Sequence, residues 1–380
     1  MAVFTGNLRF DLSATMIYLQ LMTSLEDSEA GIQNPEVGQV IEEIGCFLER
    51  DISREIEMKG PKILSMLAPV VDQFLEKAPP KVPWQELAAD FSLLCKQDKQ
   101  IYSFGISHEW LYRRMDCSSY RFAGLPLHAR IGVGPHAGRA SVEDWFLLDD
   151  AFFLLASAEA AHEEMHLFSK ALKASRRGNR RAVHDVLTPL NQTVATYSRM
   201  CVVSFMAFVE AFVNSVAYDF MGRSPATLNS ADAELLNGFK KGRFISIDFK
   251  LEKYPRIISG GKSTLVVRDP SQRVEPFALL MERFKHQRDS AMHYAPGKKP
   301  IWRTPDEWLE EARESSRTCL EVARYFWKAC YPTREYPEYL AKFNYNSLKD
   351  AGKRRLGKVD AAKANFRKAK EDKSERGKQS

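Results

Sequence analysis

The chain has 380 residues, of which 44% are hydrophobic, 27% charged and 11% aromatic. This composition is typical of a soluble globular protein, and it excludes a collagen-like fibre, a disordered chain and a disulfide-dense miniprotein. The net charge of +6 is unevenly distributed: residues 349–380 carry 12 basic and 5 acidic residues, whereas residues 1–348 carry 43 basic and 44 acidic residues. The sequence therefore predicts a nearly neutral body followed by a basic tail.

Apolar positions recur with helical spacing along most of the chain, which predicts an all-α fold. We expect helices at about 13–27, 35–57, 61–77, 83–99, 143–173, 183–221, 231–241, 276–294 and 305–330. The last begins with a capping box, because a threonine cap at Thr304 is followed by a proline and, three residues on, by Glu307. One small β-hairpin is predicted at 256–267, around Gly260 and Gly261.

A basic, glycine-containing turn at 175–181 predicts the main domain boundary. It separates an N-terminal helical domain of unknown role (1–175) from a second helical domain (182–348) and a basic, flexible or partly helical tail (349–380). The N-terminal domain would bind substrate, sense a trigger or contact a partner.

Six scattered cysteines without disulfide or CxxC spacing, and an N-terminus unlike a signal peptide, favour a cytoplasmic location. The apolar segment 200–221 contains Glu210, Asn214 and Asp219, so we interpret it as a buried helix. No membrane partner is expected.

The most informative segment is the predicted helix at 276–294, which carries Arg288 on its apolar stripe. An arginine that faces inward needs an anionic partner, and Glu210, in the middle of the preceding long helix, is the one that we predict. On a second face His286, Asp289 and His293 follow at spacings of three and four, so the Asp289 carboxylate can reach His293. The breaker Ala295-Pro296-Gly297 then places His293 at a helix C-terminus, where the helix dipole favours a protonated imidazole.

The run Arg288-Asp-Ser-Ala-Met-His293 resembles the Arg-polar-x3-His signature of HEPN domains, over about residues 198–331. The resemblance implies a C-terminal HEPN-like four-helix bundle, a homodimer and a metal-independent endoribonuclease without a cofactor. It also implies a role in toxin-antitoxin or antiviral defence systems, with an antitoxin or regulatory protein as a possible partner. One departure is that Tyr294 follows the histidine directly, whereas a toxin subset of the family places a tyrosine two residues after it.

The side chains suit RNA cleavage by attack of the ribose 2′-hydroxyl. His293 can accept and donate protons near neutral pH, Arg288 can stabilise charge on the phosphoryl oxygens, and Asp289 would orient His293. We expect auxiliary roles for Glu210, His286 and Tyr294. In the tail, contacts with RNA phosphates are predicted for Lys353, Arg354 and Arg355.

Two other functions stay open. The first is a non-catalytic helical module that binds nucleic acid or protein, in which Arg288 only stabilises the bundle. The second is a zinc hydrolase, because His162, Glu163 and His166 satisfy the HExxH pattern. Its third ligand is not evident from the sequence, although His184 or Asp185 can be proposed, and a charged helix face is the interpretation that we favour.

Overall fold

The structure is a computed structural model that describes residues 3–25, 35–50, 53–120, 122–133, 138–174, 183–292, 303–341 and 344–376. The chain divides into two compact units, Met1–Val142 and Glu143–Ser380. The division therefore follows Val142, whereas the sequence analysis predicts it at 175–181. The predicted basic turn at 175–181 lies outside the described residues.

The N-terminal unit is built around its first helix, α1 (Leu8–Leu25). Around it lie α2 (Pro35–Arg50), α3 (Ser53–Lys77) and α4 (Trp84–Gln97). The core contains Leu12, Tyr18, Met22, Leu67 and Phe74. Two short helices, α5 (Ile101–Phe104) and α6 (His108–Arg114), accompany a small antiparallel sheet of β1 (Ile106–Ser107), β2 (Arg130–Ile131) and β3 (Ala140–Ser141), in that order. Ile131 of the central strand lies opposite Ile106 and Ala140.

Helix α3 differs from the sequence-based expectation of a break at Pro61. It runs through Pro61 and Pro69. Its apolar face, which includes Ile56, Ile63 and Leu67, is buried on both sides of Pro61. Packing of this continuous face outweighs the loss of a backbone donor that proline imposes on a helix interior.

Four long helices form the body of the C-terminal unit: α7 (Glu143–Ala174), α8 (Thr188–Arg223), α13 (Pro305–Cys330) and α15 (Tyr345–Arg376). A π-helical turn, Val183–Leu187, leads into α8. Helix α8 packs against α7 and α13, and α15 packs against α7. Aromatic side chains such as Phe152, Phe205 and Phe326 fill the core. The described residues are mostly helical, which confirms the all-α character of the fold.

Shorter elements connect these helices. They are a 3-10 turn (Pro225–Thr227), α9 (Ser230–Leu236), β4 (Phe239–Lys240), β5 (Arg243–Phe244), α10 (Ile247–Ile258), α11 (Phe277–Leu279), a π-helical turn (Leu280–Phe284), α12 (Lys285–Met292) and α14 (Glu338–Ala341). We call the continuous run of α11, the π-helical turn and α12 the motif helix. The predicted capping box of α13 is confirmed, since Thr304 Oγ1 accepts from the Glu307 backbone N–H and the Glu307 side chain accepts from the Thr304 backbone N–H.

The predicted hairpin at 256–267 is wrong. Residues 256–258 are the last turn of α10, whose buried positions Ile247, Leu251, Tyr254 and Ile258 follow helical spacing. Gly260 and Gly261, with φ of 66° and 86°, instead follow the end of that helix. The hairpin of this unit is β4–β5, where Lys241 and Gly242 both have positive φ, as a two-residue turn of type I′ requires.

The basic tail is an ordered helix along its described length, and its first turns pack on α7. Leu348 is buried, and the Tyr345 ring lies 5.7 Å from that of Phe152. A Cβ at Gly352 would lie 2.5 Å from the Phe152 backbone oxygen, so the two helix backbones approach closely there. Beyond Asp360 the described side chains are exposed.

Among the described residues, one helical stretch, Asp185–Arg223, has the length and apolar composition of a membrane span. In this protein 56% of its most apolar window is buried. A core helix meets the same criteria, so this stretch is weak evidence for a membrane location.

Candidate functional site

The motif helix packs one face into the C-terminal unit. Phe277, Leu280 and Phe284 are fully buried on that face. Arg288 follows Phe284 by one turn, and its side chain is only 23% exposed. The stripe that the sequence predicts therefore continues into a largely buried guanidinium. The π-helical turn just before α12 is a feature that occurs often at functional sites.

Arg288 is held between two carboxylates. Its Nη1 donates to Glu210 Oε2 on α8 at 3.4 Å, which is the pairing that the sequence predicts. Its Nε forms an ion pair with Asp289 Oδ1 at 2.8 Å. Asp289 also accepts a hydrogen bond from Lys285 Nζ at 2.9 Å. Burial raises the pKa of Asp289, but Lys285 and Arg288 outweigh that effect, and its pKa lies below the ordinary value.

Helix α10 adds a cation that the sequence analysis missed. Lys250 is 7% exposed, and its Nζ donates to Asn214 Oδ1 on α8 at 2.9 Å and lies 3.7 Å from Glu210 Oε1. The Tyr254 hydroxyl, on the same helix, is buried without a hydrogen-bond partner among the described residues. Burial, with a smaller effect of Glu210, raises its pKa. We call Lys250, Lys285, Arg288, Glu210 and Asp289 the Arg288 cluster.

A third carboxylate fixes the motif helix to α13. Glu311 is 1% exposed and accepts two hydrogen bonds from Arg283, from Nε and Nη2, each at 2.7 Å. It also accepts from Gln287 Nε2 at 2.6 Å and from Arg303 Nη1. Residues before and after the segment that contains His293 thus bind the same carboxylate.

The other predicted site residues of this segment fall into two groups. His286 is exposed and lines a cleft of about 460 Å³ together with Glu282, Arg283, Gln287 and Arg303. It is therefore on a different side of the motif helix from the contact between Arg288 and Glu210. His293 and Tyr294 lie outside the described residues.

The two histidines of the HExxH pattern lie beside a carboxylate, Asp306, that the sequence analysis did not identify as a third ligand. His162 Nε2 lies 3.0 Å from His166 Nε2 on α7, and Asp306 Oδ1, in the first turn of α13, lies 2.5 Å and 3.7 Å from these two atoms. Of the two alternative third ligands, Asp185 is not part of this cluster among the described residues, and the His184 side chain lies outside the described atoms. Glu163 is exposed and, within the described part of the chain, does not belong to the group of ligands formed by these three residues.

The three predicted RNA-binding residues of α15 are not equivalent. Arg355 Nη1 donates to Asp149 Oδ2 at 2.6 Å and Asp150 Oδ1 at 2.7 Å, and its guanidinium lies over the Phe153 ring. These contacts occupy Arg355 in holding α15 on α7. Lys353 and Arg354 are exposed.

Two of the missed residues carry a sequence signal. Lys250 lies on a helix whose apolar spacing is regular, but Pro255 and the pair Ile257-Ile258 conceal it. Asp306 belongs to the capping box that the sequence reveals, yet its proximity to His162 depends on how α13 packs against α7. That proximity needs the three-dimensional structure.

A comparison of this chain with family models, with curated proteins and with solved structures found no match.

Proposed function

We propose that the C-terminal unit is a metal-independent endoribonuclease of HEPN type, with Arg288 and His293 as its catalytic residues. The observation that supports this proposal is the setting of Arg288. Its guanidinium lies where α8, α10 and the motif helix meet, five positions before His293 in the chain. The proposal also includes a homodimer, in which the motifs of two copies form one cleft.

The charge of the Arg288 cluster suits a phosphodiester. Three cations and two carboxylates give a formal net charge of +1, opposite to the single charge of a phosphodiester linkage. Within the described residues, Nη1 of Arg288 donates to Glu210 and Nε pairs with Asp289, so the N–H groups of Nη2 are left for a phosphate oxygen. A planar guanidinium can bind two such oxygens at once.

The reaction assigns a separate task to each side chain. The 2′-oxygen attacks the adjacent phosphorus while its proton passes to a base, and the bond from phosphorus to the 5′-oxygen breaks as that oxygen takes up a proton. The products are a 2′,3′-cyclic phosphate and a 5′-hydroxyl. His293 carries these protons, and Arg288 stabilises the charge that develops on the phosphoryl oxygens. Glu210 and Asp289 hold the guanidinium in place.

RNA cleavage by matched variants tests the proposal. The full chain, Arg288→Ala, Arg288→Lys and His293→Ala are incubated with cellular RNA in the presence and absence of EDTA, and the ends are analysed. We expect cleavage by the wild type in EDTA with cyclic phosphate ends, and a loss of about 100-fold or more in the alanine variants. Arg288→Lys keeps the charge without the planar fork and should restore little activity.

Arg243→Ala is the control, because it removes an exposed arginine from the β4–β5 hairpin. It should cleave like the wild type. Unchanged cleavage by His293→Ala would refute the proposal.

The pairing of Arg288 with two carboxylates also favours a second candidate, a non-catalytic module in which Arg288 stabilises the bundle. Exposed Lys353 and Arg354 would then bind RNA without cleaving it. A folded wild-type dimer that binds RNA but produces no new ends would favour this function. In that case Arg288→Ala should lower the unfolding free energy and leave binding unchanged.

A further inference from the structure

The HExxH residues of α7 and the first turn of α13 form a cluster separate from the Arg288 cluster. Nε2 of His162, Nε2 of His166 and Oδ1 of Asp306 all lie within 4.8 Å of one another. Two imidazoles and a carboxylate are common ligands of divalent transition metals, including zinc.

The packing of two regular helices sets the position of the three ligands. Glu159 Oε1 accepts from Arg313 Nε at 3.0 Å, which fixes the antiparallel register of α7 and α13. His166 lies seven residues after Glu159 and Asp306 seven residues before Arg313, so each is two helical turns from that contact. The capping box fixes the backbone at Asp306, since Thr304 and Glu307 bond to each other on either side of it. The cluster therefore stands on rigid elements, as a metal site requires.

Hydrogen bonds among Nε2 of His162, Nε2 of His166 and Oδ1 of Asp306 leave these atoms poorly satisfied. At a separation of 2.5 Å, His162 Nε2 and Asp306 Oδ1 share one proton, which belongs to the imidazole or to the carboxyl group. His166 Nε2, at 3.0 Å from the same nitrogen, then either competes for that proton or directs its own N–H at an occupied donor. A single cation at the centre accepts the lone pairs of all three atoms at once.

The dimensions fit a metal of the size of zinc. Ligands at about 2.0 to 2.2 Å in a tetrahedral site lie roughly 3.3 Å apart. His166 Nε2 lies 3.0 Å from His162 Nε2 and 3.7 Å from Asp306 Oδ1. One of these distances is shorter and the other longer than the separation expected between two ligands of one zinc ion. The Asp306 side chain is 64% exposed and therefore has room to rotate, which would lengthen its short distance to His162.

We propose that His162, His166 and Asp306 bind one divalent transition-metal ion of the zinc class, which joins α7 to the start of α13. The side chains of His166 and Asp306 are 60% and 64% exposed, so the remaining coordination positions face solvent. A water molecule or an anionic ligand can occupy them. The ion stabilises the end of the bundle that also carries Arg303 and Glu311.

Zinc titration of the tag-free, full-length chain tests the site. Isothermal titration with Zn²⁺ should give one equivalent bound by the wild type. Co²⁺ should give the visible absorption bands of a low-symmetry site with nitrogen and oxygen ligands. Saturating Zn²⁺ should raise the melting temperature by about 5 °C, because the ion binds only the folded state.

His166→Ala is the most direct variant, since the exposed side chain can be removed without opening the core. Its affinity for Zn²⁺ should fall by at least the roughly 10- to 100-fold that removal of a supporting group of a metal site causes. The thermal shift should be lost with it. Asp306→Asn should reduce both the affinity for Zn²⁺ and the thermal shift. Without Zn²⁺, this variant should have the melting temperature of the wild type.

Glu164→Gln is the matched control, because it removes one negative charge from the same helix and no ligand. It should bind Zn²⁺ like the wild type. An equal loss of affinity in Glu164→Gln and His166→Ala would mean that the ion only accumulates near acidic side chains, and would overturn the proposal. Binding that persists unchanged in His166→Ala, or a wild type that binds no Zn²⁺, would overturn it too.

Discussion

Glu311 is the residue whose replacement should most weaken the attachment of the motif helix. It is 1% exposed and binds Arg283, Gln287 and Arg303. Replacing it by glutamine keeps the shape but removes the charge that two guanidinium groups share. Breaking a buried ion pair by changing one partner costs about 3 to 5 kcal/mol.

The cost should lie at the lower end of that range. The side chains of Arg283 and Arg303 are 34% and 28% exposed, so water can partly replace the lost carboxylate. Arg283 also pairs with Glu314 Oε2 at 2.5 Å. We therefore expect a loss of about 3 kcal/mol for Glu311→Gln. In a unit of this size that corresponds to a melting temperature lower by roughly 6 to 12 °C.

Thermal and urea unfolding of the full chain, followed by circular dichroism and tryptophan fluorescence, measure this loss. Glu310→Gln is the matched control, because Glu310 is 61% exposed and lies 3.6 Å from its partner Arg313. It should change the unfolding free energy by no more than about 0.5 kcal/mol. If the two variants are equally stable, Glu311 does not hold the motif helix, and the argument from its burial and partners fails.

Two further predictions concern α15 and the Arg288 cluster. Gly352→Ala should expose α15 to proteolysis, because the new Cβ would lie 2.5 Å from the Phe152 backbone oxygen. Gly357→Ala is the control: its Cβ would have nothing within 4 Å, so the change should stabilise the helix by about 0.5 to 1 kcal/mol. Equal protease sensitivity of the two variants would contradict this prediction. Because the pKa of Asp289 is lowered in the folded state, its carboxylate stabilises the fold above its ordinary pKa near 3.9, and the contribution is lost as the pH falls through the lower folded pKa. Unfolding free energies measured from pH 6 to pH 3 should therefore fall less steeply in Asp289→Asn than in the wild type, and identical slopes would refute the assignment.

Most of the helices could be predicted from the spacing of apolar residues. The apolar stripe that this spacing produces is also the face that each helix buries, so the sequence pattern and the packing have the same cause. The stripe of the motif helix predicted that Arg288 faces inward and that Glu210 is its partner. The prediction of a hairpin at 256–267 failed because two consecutive glycines after β-branched residues are also typical of a helix C-terminus, and here they follow the end of α10. The helix predicted at 231–241 included Lys241 and β4, although Gly242 permits the positive φ that the hairpin turn needs.

The sequence could not predict the contacts that depend on packing between distant helices. Asp306 is separated from His162 by 144 positions, and only the register of α7 against α13 brings them together. The boundary between the two units, after Val142, also depends on packing between helices that are distant in the sequence. A helix break at 175–181 is visible in composition, but α7 belongs to the C-terminal unit because it buries residues such as Phe152 against α8 and α15.

The net charge of +6 does not measure the capacity of α15 to bind RNA. Lys349 donates to Glu159 at 2.7 Å and Arg355 binds two aspartates of α7, so these cations already have partners within the fold. If α15 binds RNA, exposed cations such as Lys353 and Arg354 must account for the salt dependence. Neutralising those two should reduce the slope of log affinity against log salt by up to about two, whereas Arg355→Ala should weaken the packing of α15 instead. We therefore expect RNA binding by α15 and the proposed cleavage at the Arg288 cluster to be separable by mutation.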